Sequence, residues 1–295
     1  MILIVGCGFL GSYLLKYALS QTDEPVVATV RNGAAIVPFK GVEYVKLDVG
    51  CEKDLLELAE KTKGHRLKVF WFAASHNVDF VYENPDEARK INIDALHNFF
   101  KVFRNVEKFF FSSTDCVYGE NSDENPAFRE DCEAHPINRY GEQKLEAENI
   151  IIGKGFNVLR LPFMLGPSLT EKKHFYDSIC ERLDNSEETE MIDGMLRSVL
   201  SYENAAKLIY KLSCVEGDLP QIINVCGDEA MSKYETGCRI AAKKGAPLTL
   251  VKRISEEQGS KFFKDKRAHS AVMDNSLLKK ISGLKEIPWE GDICW

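Results

Sequence analysis

Residues 1–19 read MILIVGCGFLGSYLLKYAL, and the fold turns on what the three glycines in this stretch do. Met1 to Val5 is a short apolar run carrying Ile and Val, the composition of a strand covered on both faces. Gly6, Gly8 and Gly11 follow at G-x-G-x-x-G spacing, and then Leu14, Leu15, Ala18 and Leu19 recur at helical intervals. Strand, glycine turn and helix in that order match a dinucleotide-binding turn. In such a turn the first glycine makes the tight bend and the second lets a pyrophosphate approach the backbone. The third lets helix and strand pack closely, while the helix N-terminus attracts the phosphates. A dinucleotide bound there would contact Gly6, Gly8, Phe9, Leu10 and Gly11. The same spacing also serves a plain bend between a buried strand and a helix, so the rest of the chain decides.

The chain has 295 residues, enough for one large domain or two intimately packed ones with a real core. Hydrophobic residues make up 44% and charged residues 28%, the balance of a globular protein. A net charge of −7 argues against a general nucleic-acid or anionic-membrane binder, so neither partner is expected. The apolar opening lacks a basic leader and is interrupted by glycines, which fits neither a signal peptide nor a spanning helix. Nine cysteines are scattered from Cys7 to Cys294 with no C-x-x-C pair, an odd count that predicts reduced thiols and a cytoplasmic protein. The six histidines show no metal-ligand spacing, and no metal is expected.

Strand-like runs alternate with helical patterns along the first half. The strands are MILIV, PVVATV, EYVKL, KVFWFAA, KFFFSST and FNVLRLPF; helical patterns cover Tyr13–Ser20, Asp54–Lys61, Pro85–Arg104 and Asn138–Ile152. This alternation predicts an α/β fold with a doubly wound parallel sheet. After about residue 165 it becomes irregular, which predicts a dinucleotide-binding domain over 1–165 and a smaller substrate-binding lobe over 166–295. Some segments of that lobe are expected to return to the sheet. The acidic stretch DNSEETE at 184–190 reads as a solvated loop.

Tyr140 and Lys144 lie four apart in a helical context, hence on one helix face. Ser113 and Thr114 end a buried strand on the side where parallel sheets present their ligands. A hydroxyl, a phenol and an ammonium can together protonate a carbonyl oxygen, with Lys144 favouring the ionised phenol and lowering its pKa. An exposed Tyr/Lys pair on a surface helix is the plain alternative.

Several stretches together carry a family resemblance: LIVGCGFLGS, FAASHNVDFVYENPDEARKINIDAL, SSTDCVYG, YGEQKLEAE, LRLPFMLGP and RAHSAVMDNSLLKKI. By their order and spacing the chain resembles an extended short-chain dehydrogenase/reductase of the Rossmann type, nearest the dTDP-4-dehydrorhamnose reductase group. The resemblance implies that Thr114, Tyr140 and Lys144 form the catalytic set. Tyr140 would donate the proton, Thr114 would hold the carbonyl oxygen, and Lys144 would bind the nicotinamide ribose. It implies further that Asp48 and Val49 lie beside the adenine, and that Ala73, Ala74 and Ser75 form a close-approach turn. Ser113, Thr114, Asp115, Phe163 and Arg267 would face a nucleotide sugar. A homodimer is the assembly expected, with the sequence leaving the oligomeric state open. Departures fall mostly on the substrate side: Cys116 replaces a usual aromatic, Phe163 a tryptophan and Leu165 a tyrosine. The stretch IDGMLRSVLSYENAA lacks the reductases' usual pattern, and Val5 stands where many members have a further glycine.

Cofactor choice is read at the second strand, which ends in Arg31-Asn32 with no acid to hold a ribose 2′-OH. An arginine there pairs with a 2′-phosphate, which favours NADP over NAD. A solvated Arg31, or one stacked on adenine, remains open, as does a helix-capping role for Asp48. His76 reads as a satisfied, partly buried histidine, His135-Pro136 as the start of the helix carrying Tyr140, and Phe109 to Phe111 as buried strand. KFFKDKRAH at 261–269 is the one basic cluster, either a solvated face or a diphosphate contact through Arg267. The expected function is NAD(P)H-dependent reduction of a nucleotide-linked 4-keto-6-deoxy sugar. The alternatives are an epimerase or dehydratase with the same triad, and a non-catalytic dinucleotide-binding regulatory subunit.

Overall fold

Ile2 to Val5 are buried at every position, as a strand must be when helices cover both faces of a parallel sheet. The structure is a computed structural model that describes residues 1–31 and 39–293. Asn32 of the expected second-strand end lies outside the described residues. In chain order the first strands are β1 (Ile2–Val5), β2 (Val26–Val30), β3 (Glu43–Lys46), β4 (Leu67–Trp71), β5 (Val106–Thr114) and β6 (Asn157–Leu161). Outside that sheet follow β7 (Phe163–Leu165), β8 (Thr189–Ile192) and β9 (Leu196–Ser201), before β10 (Ile222–Asn224) returns to pair with β6. The seven-stranded sheet has the order β10-β6-β5-β4-β1-β2-β3, and every pairing is parallel. Strand order reverses between β1 and β4. That switch point opens a crevice at the C-terminal strand ends, where such sheets bind ligands.

Helices cover both faces. On one side α1 (Phe9–Gln21) packs its Leu14, Leu15 and Ala18 with Ile4, Phe70 and Phe110 of the sheet. On the other, α2 (Glu52–Lys61) contributes Leu55 and Leu58 against Leu3, Val69 and Trp71. Between β4 and β5 lie α3 (Val78–Glu83), α4 (Pro85–Arg89) and α5 (Ala95–Val102). The expected single helix over 85–104 is therefore two, joined by one π-helical turn at Lys90–Asp94 and ending at Val102. The widened turn buries Asn92, whose amide bonds Ser75 and Gln143.

Tyr140 rides on α6 (Arg139–Gly153). This helix begins after His135-Pro136, contrary to expectation, because Asn138 supplies the cap: its Oδ1 accepts from Gly141 N at 2.8 Å. The second lobe holds α7 (Phe175–Asp184), α8 (Tyr202–Cys214), which joins the core with α1 through Leu208 and Ile209, and α9 (Lys233–Lys244). Its strands β11 (Ala230–Met231), β12 (Val251–Ile254) and β13 (Ser270–Ala271) pair with β9, β8 and β9 respectively. The acidic loop is shorter than expected, since buried Thr189 enters β8 opposite Val251. Short helices α10 (Glu256–Ser260) and α11 (Ser276–Ser282) complete the chain. Among the described residues no helix is long and apolar enough to cross a membrane, no His, Cys, Asp or Glu cluster is arranged to hold a metal, and every cysteine is free.

Candidate active site

The glycine turn divides three tasks among three residues. Gly6 has φ +90°, and a Cβ there would come within 2.5 Å of Ala73 N. A Cβ at Gly11 would meet Gly6 O at 2.6 Å, so helix and strand touch through hydrogen alone. At Gly8 a Cβ would meet nothing within 4 Å, and the open space is the cavity itself. Gly6 N donates to Thr29 Oγ1 at 3.0 Å and Cys7 N to Thr29 O at 2.8 Å, which ties the turn to β2. Helix α1 starts there with no side-chain cap and no acid in its first turn. Its leading N–H groups and the positive end of its dipole therefore face the cavity. This cradle fits the pyrophosphate of a dinucleotide.

The cavity measures about 720 Å³. Its wall includes Phe9, Leu10, Arg31, Asp48 and Val49 on the β1–β2–β3 side, with Ala73 and Ala74 after β4. Ser75 stands off the wall, because Asn92 grips its backbone: Ser75 N donates to Asn92 Oδ1 at 2.8 Å, and Ser75 O accepts from Nδ2 at 3.1 Å. Asp48 does not cap α2. Its Oδ1 accepts from Gly50 N at 3.0 Å, and its own N–H donates to Asp54 Oδ2 at 2.9 Å. Arg31 is exposed and pairs with no carboxylate among the described residues.

Thr114 ends β5, Tyr140 is the second residue of α6, and Lys144 follows one turn later; all three are buried on the wall of the same cavity. Gly141 makes this possible, since a Cβ there would lie 2.4 Å from Cys116 O and push α6 off the turn after β5. Burial drives the Tyr140 phenol pKa well up, and Cys116 and Asp115 add to the shift while Thr114 opposes it. Burial also brings the Lys144 ammonium down to about 7, against the pull of Glu148. The expectation that Lys144 lowers the phenol's pKa is therefore corrected: loss of water governs both groups. Lys144 Nζ donates to Ser112 O at 2.5 Å and sits 4.0 Å from the Phe111 ring centroid. Thr114 Oγ1 donates to Asp115 Oδ1 at 3.0 Å. The Asp115 carboxyl is raised by burial, with Arg197 at 3.8 Å opposing. Ser113 turns its hydroxyl to Glu148 Oε1 at 2.5 Å, joining the buried Glu148–Arg160 pair.

On the lobe side Phe163 lines the cavity with its ring 5.2 Å from Phe175. Arg267 also lines it, held by Asp79 at 2.9 Å. The KFFKDKRAH segment is clasped to the sheet domain. Lys264 N donates to Asp79 Oδ1 at 3.0 Å, Arg139 N donates to Asp265 Oδ2 at 2.9 Å, and Lys264 pairs with Glu83. His76 lines the cavity with much of its surface open to it, while partial loss of water there holds its pKa below the usual histidine value. Phe109 to Phe111 are buried strand. The sequence reading missed His174, Tyr202, Arg197 and Lys233, all on the wall. The His174 ring lies 4.7 Å from that of Phe9, and Tyr202 OH lies 3.1 Å from His174 Nε2. Only Lys233 carried a local signal, the S-x-x-E pattern of a capped helix start at Ser232.

The family model described as RmlD substrate binding domain matches residues 1–294. Over 192 residues the chain is 28% identical to methionine adenosyltransferase 2 subunit beta of Xenopus laevis, covering 63% of this chain and 57% of that protein. A solved structure of a hypothetical dTDP-4-dehydrorhamnose reductase from Sulfolobus tokodaii is similar with TM-score 0.79 and 25% identity, over 99% of this chain and 97% of that one. MoeE5 in complex with UDP-glucuronic acid and NAD is similar with TM-score 0.81 and 21% identity, over 99% and 94%. At that identity the likeness shows the fold alone.

Proposed function

The chain belongs to the RmlD substrate binding domain family, and on that premise we propose that it is an NAD(P)-dependent oxidoreductase of the extended short-chain dehydrogenase/reductase type that reduces the keto group of a nucleotide-linked 4-keto-6-deoxy sugar with NADPH. The observation that carries this reading is one cavity with the glycine turn on one wall and Thr114, Tyr140 and Lys144 on another. A bound nicotinamide dinucleotide supplies the hydride. Tyr140 gives a proton to the carbonyl oxygen as negative charge develops there, and its raised pKa keeps it a proton carrier at neutral pH. Thr114 would hold the same oxygen by turning its one hydroxyl hydrogen to it from Asp115 Oδ1. Lys144, whose pKa burial brings down to about 7, lies one helical turn from Tyr140 on the same wall and would hold the nicotinamide ribose. Arg31 at the end of β2 pairs with a 2′-phosphate, which supports NADP over NAD. Phe163 and Arg267 face the sugar and its diphosphate.

The test is NADPH consumption on addition of dTDP- and UDP-linked 4-keto-6-deoxy sugars, with the product identified by chromatography. Stoichiometric loss of NADPH with a hydroxylated product supports the reading. A protein that binds NADPH but consumes none with any member of the set contradicts it. The likeness to methionine adenosyltransferase 2 subunit beta favours a second reading, a dinucleotide-binding regulatory chain. That reading predicts bound NADPH without turnover, together with association with a methionine adenosyltransferase catalytic chain.

A further inference from the structure

Lys144 and Glu148 stand one turn apart on α6, and both are buried, at 2% and 0% exposed. At that spacing a lysine and a glutamate ordinarily pair with each other. Here they do not. Among the described residues no carboxylate lies within 4.0 Å of Lys144 Nζ, which donates to Ser112 O and rests against the Phe111 ring. The Glu148 carboxylate is taken by Arg160 of β6. Its Oε1 accepts from Arg160 Nε at 3.0 Å and from Ser113 Oγ at 2.5 Å, and its Oε2 accepts from Arg160 Nη2 at 2.6 Å. Arg160 is itself buried, 4.4 Å from the Tyr118 ring centroid, and its Nη1 has no hydrogen-bond partner. Two buried cations thus draw on one buried carboxylate, and Arg160 holds it by both oxygens.

The other charges on the elements packed around α6 are committed elsewhere. Glu130, near Arg160, accepts from Asn224 N at 2.8 Å, with Asp274 beside it. Asp115, in the turn after β5, accepts from Thr114 Oγ1 and faces Arg197 at 3.8 Å. On α3 Asp79 holds Arg267 and Glu83 holds Lys264; Arg89 of α4 holds Glu146, with His97 of α5 nearby. Tyr140 and Cys116, pushed up by burial, carry no charge at neutral pH. His76 and Lys172 line the cavity and bring no negative charge. Glu148 is therefore the group that offsets the cost of burying an ammonium at Lys144: burial lowers the lysine's pKa and Glu148 raises it.

We propose that Glu148 is a positioning residue: it is the counter-charge that favours the protonated form of Lys144, and Arg160, by holding both its oxygens, sets how much of that charge Lys144 receives. A charged Lys144 stabilises the negative charge left on the Tyr140 oxygen when its proton goes to the substrate, and a neutral one does not. The inference rests on the reading of Thr114, Tyr140 and Lys144 given above. It adds to that set a pair that lines no part of the cavity.

The test follows the Lys144 titration by NMR in the full chain, with lysine isotopically labelled at Cε and the signal identified by its loss in Lys144→Met. In wild type the midpoint is expected at about 7. Glu148→Gln should lower it by about one pH unit or more, Glu148→Asp should restore much of the loss, and Arg160→Met should raise it by freeing the carboxylate. A pair that only braces the fold would not move the midpoint in opposite directions. Glu148→Gln and Arg160→Met each strand a buried charge, whereas the two combined strand none, so the double variant keeps the test open if either single variant fails to fold. Its midpoint should lie between those of Glu148→Gln and wild type, and thermal melts report which variants are folded. An unchanged Lys144 midpoint in the folded variants, with wild-type turnover of a nucleotide-linked keto sugar intact, would overturn the inference and leave the reductase reading standing. Shifted midpoints in a chain that turns over no such sugar would keep Glu148 as the counter-charge of Lys144 and defeat that reading.

Discussion

Burial holds the Lys144 ammonium down to about 7 while it drives the Tyr140 phenol up, so two groups that ordinarily titrate close together are pushed apart. Because Lys144 has a lower pKa in the folded chain than its ordinary 10.5, the unfolded chain binds more protons between those values. Stability therefore rises with pH across that window, and the burial cost is fully present below about 7. Lys144→Met removes the cost. Urea unfolding should show the variant more stable than wild type near pH 6, with the gain shrinking toward pH 10. A gain independent of pH would mean that Lys144 is not held at a depressed pKa. The Thr114, Tyr140 and Lys144 positions were legible because helix spacing and a strand end are local patterns. Arg197, His174 and Tyr202 were not, because they reach the cavity from an irregular lobe whose strands are short and paired out of chain order. The direction of the Tyr140 shift was also hidden, since a sequence shows neighbours but not how much water they exclude.

The glycine turn shows the same division within one element. Its strand–glycine–helix pattern was readable, but the separate duties of Gly6 and Gly8 follow from what surrounds each. Gly6→Ala places a Cβ against the backbone of Ala73 at positive φ and should destabilise the fold by about 1–3 kcal/mol. A Cβ at Gly8 meets no protein atom within 4 Å, so Gly8→Val should leave thermal stability nearly intact while abolishing NADPH binding. Melting curves and NADPH titrations of the two variants check this contrast. A Gly8→Val protein that binds NADPH normally would mean that the open space is not the pyrophosphate cradle. Helical periodicity over 85–104 failed for a related reason: the π-helical turn at Lys90–Asp94 carries Asn92, which bonds Ser75, 17 residues away in the chain and invisible to any local window.

The seven-stranded sheet, its switch point and the return of β10 make the cavity a joint product of both halves of the chain. The sheet domain was largely readable as alternating apolar runs, whereas the clasp of residues 264–267 onto α3 and α6 depends on Asp79 and Arg139 and shows in sequence only as a basic cluster. In the assembled molecule the glycine turn and Tyr140 line one cavity from different elements, so on the proposed function binding and turnover are separable. Tyr140→Phe removes one hydroxyl from a buried ring and touches none of the glycine turn. NADPH titration and NADPH consumption with a nucleotide-linked 4-keto-6-deoxy sugar should be measured side by side in wild type and this variant. The expected result is unchanged NADPH affinity with turnover lowered by orders of magnitude. Turnover near the wild-type rate in Tyr140→Phe would contradict the assignment of the proton donor and, with it, the proposed chemistry of the cavity.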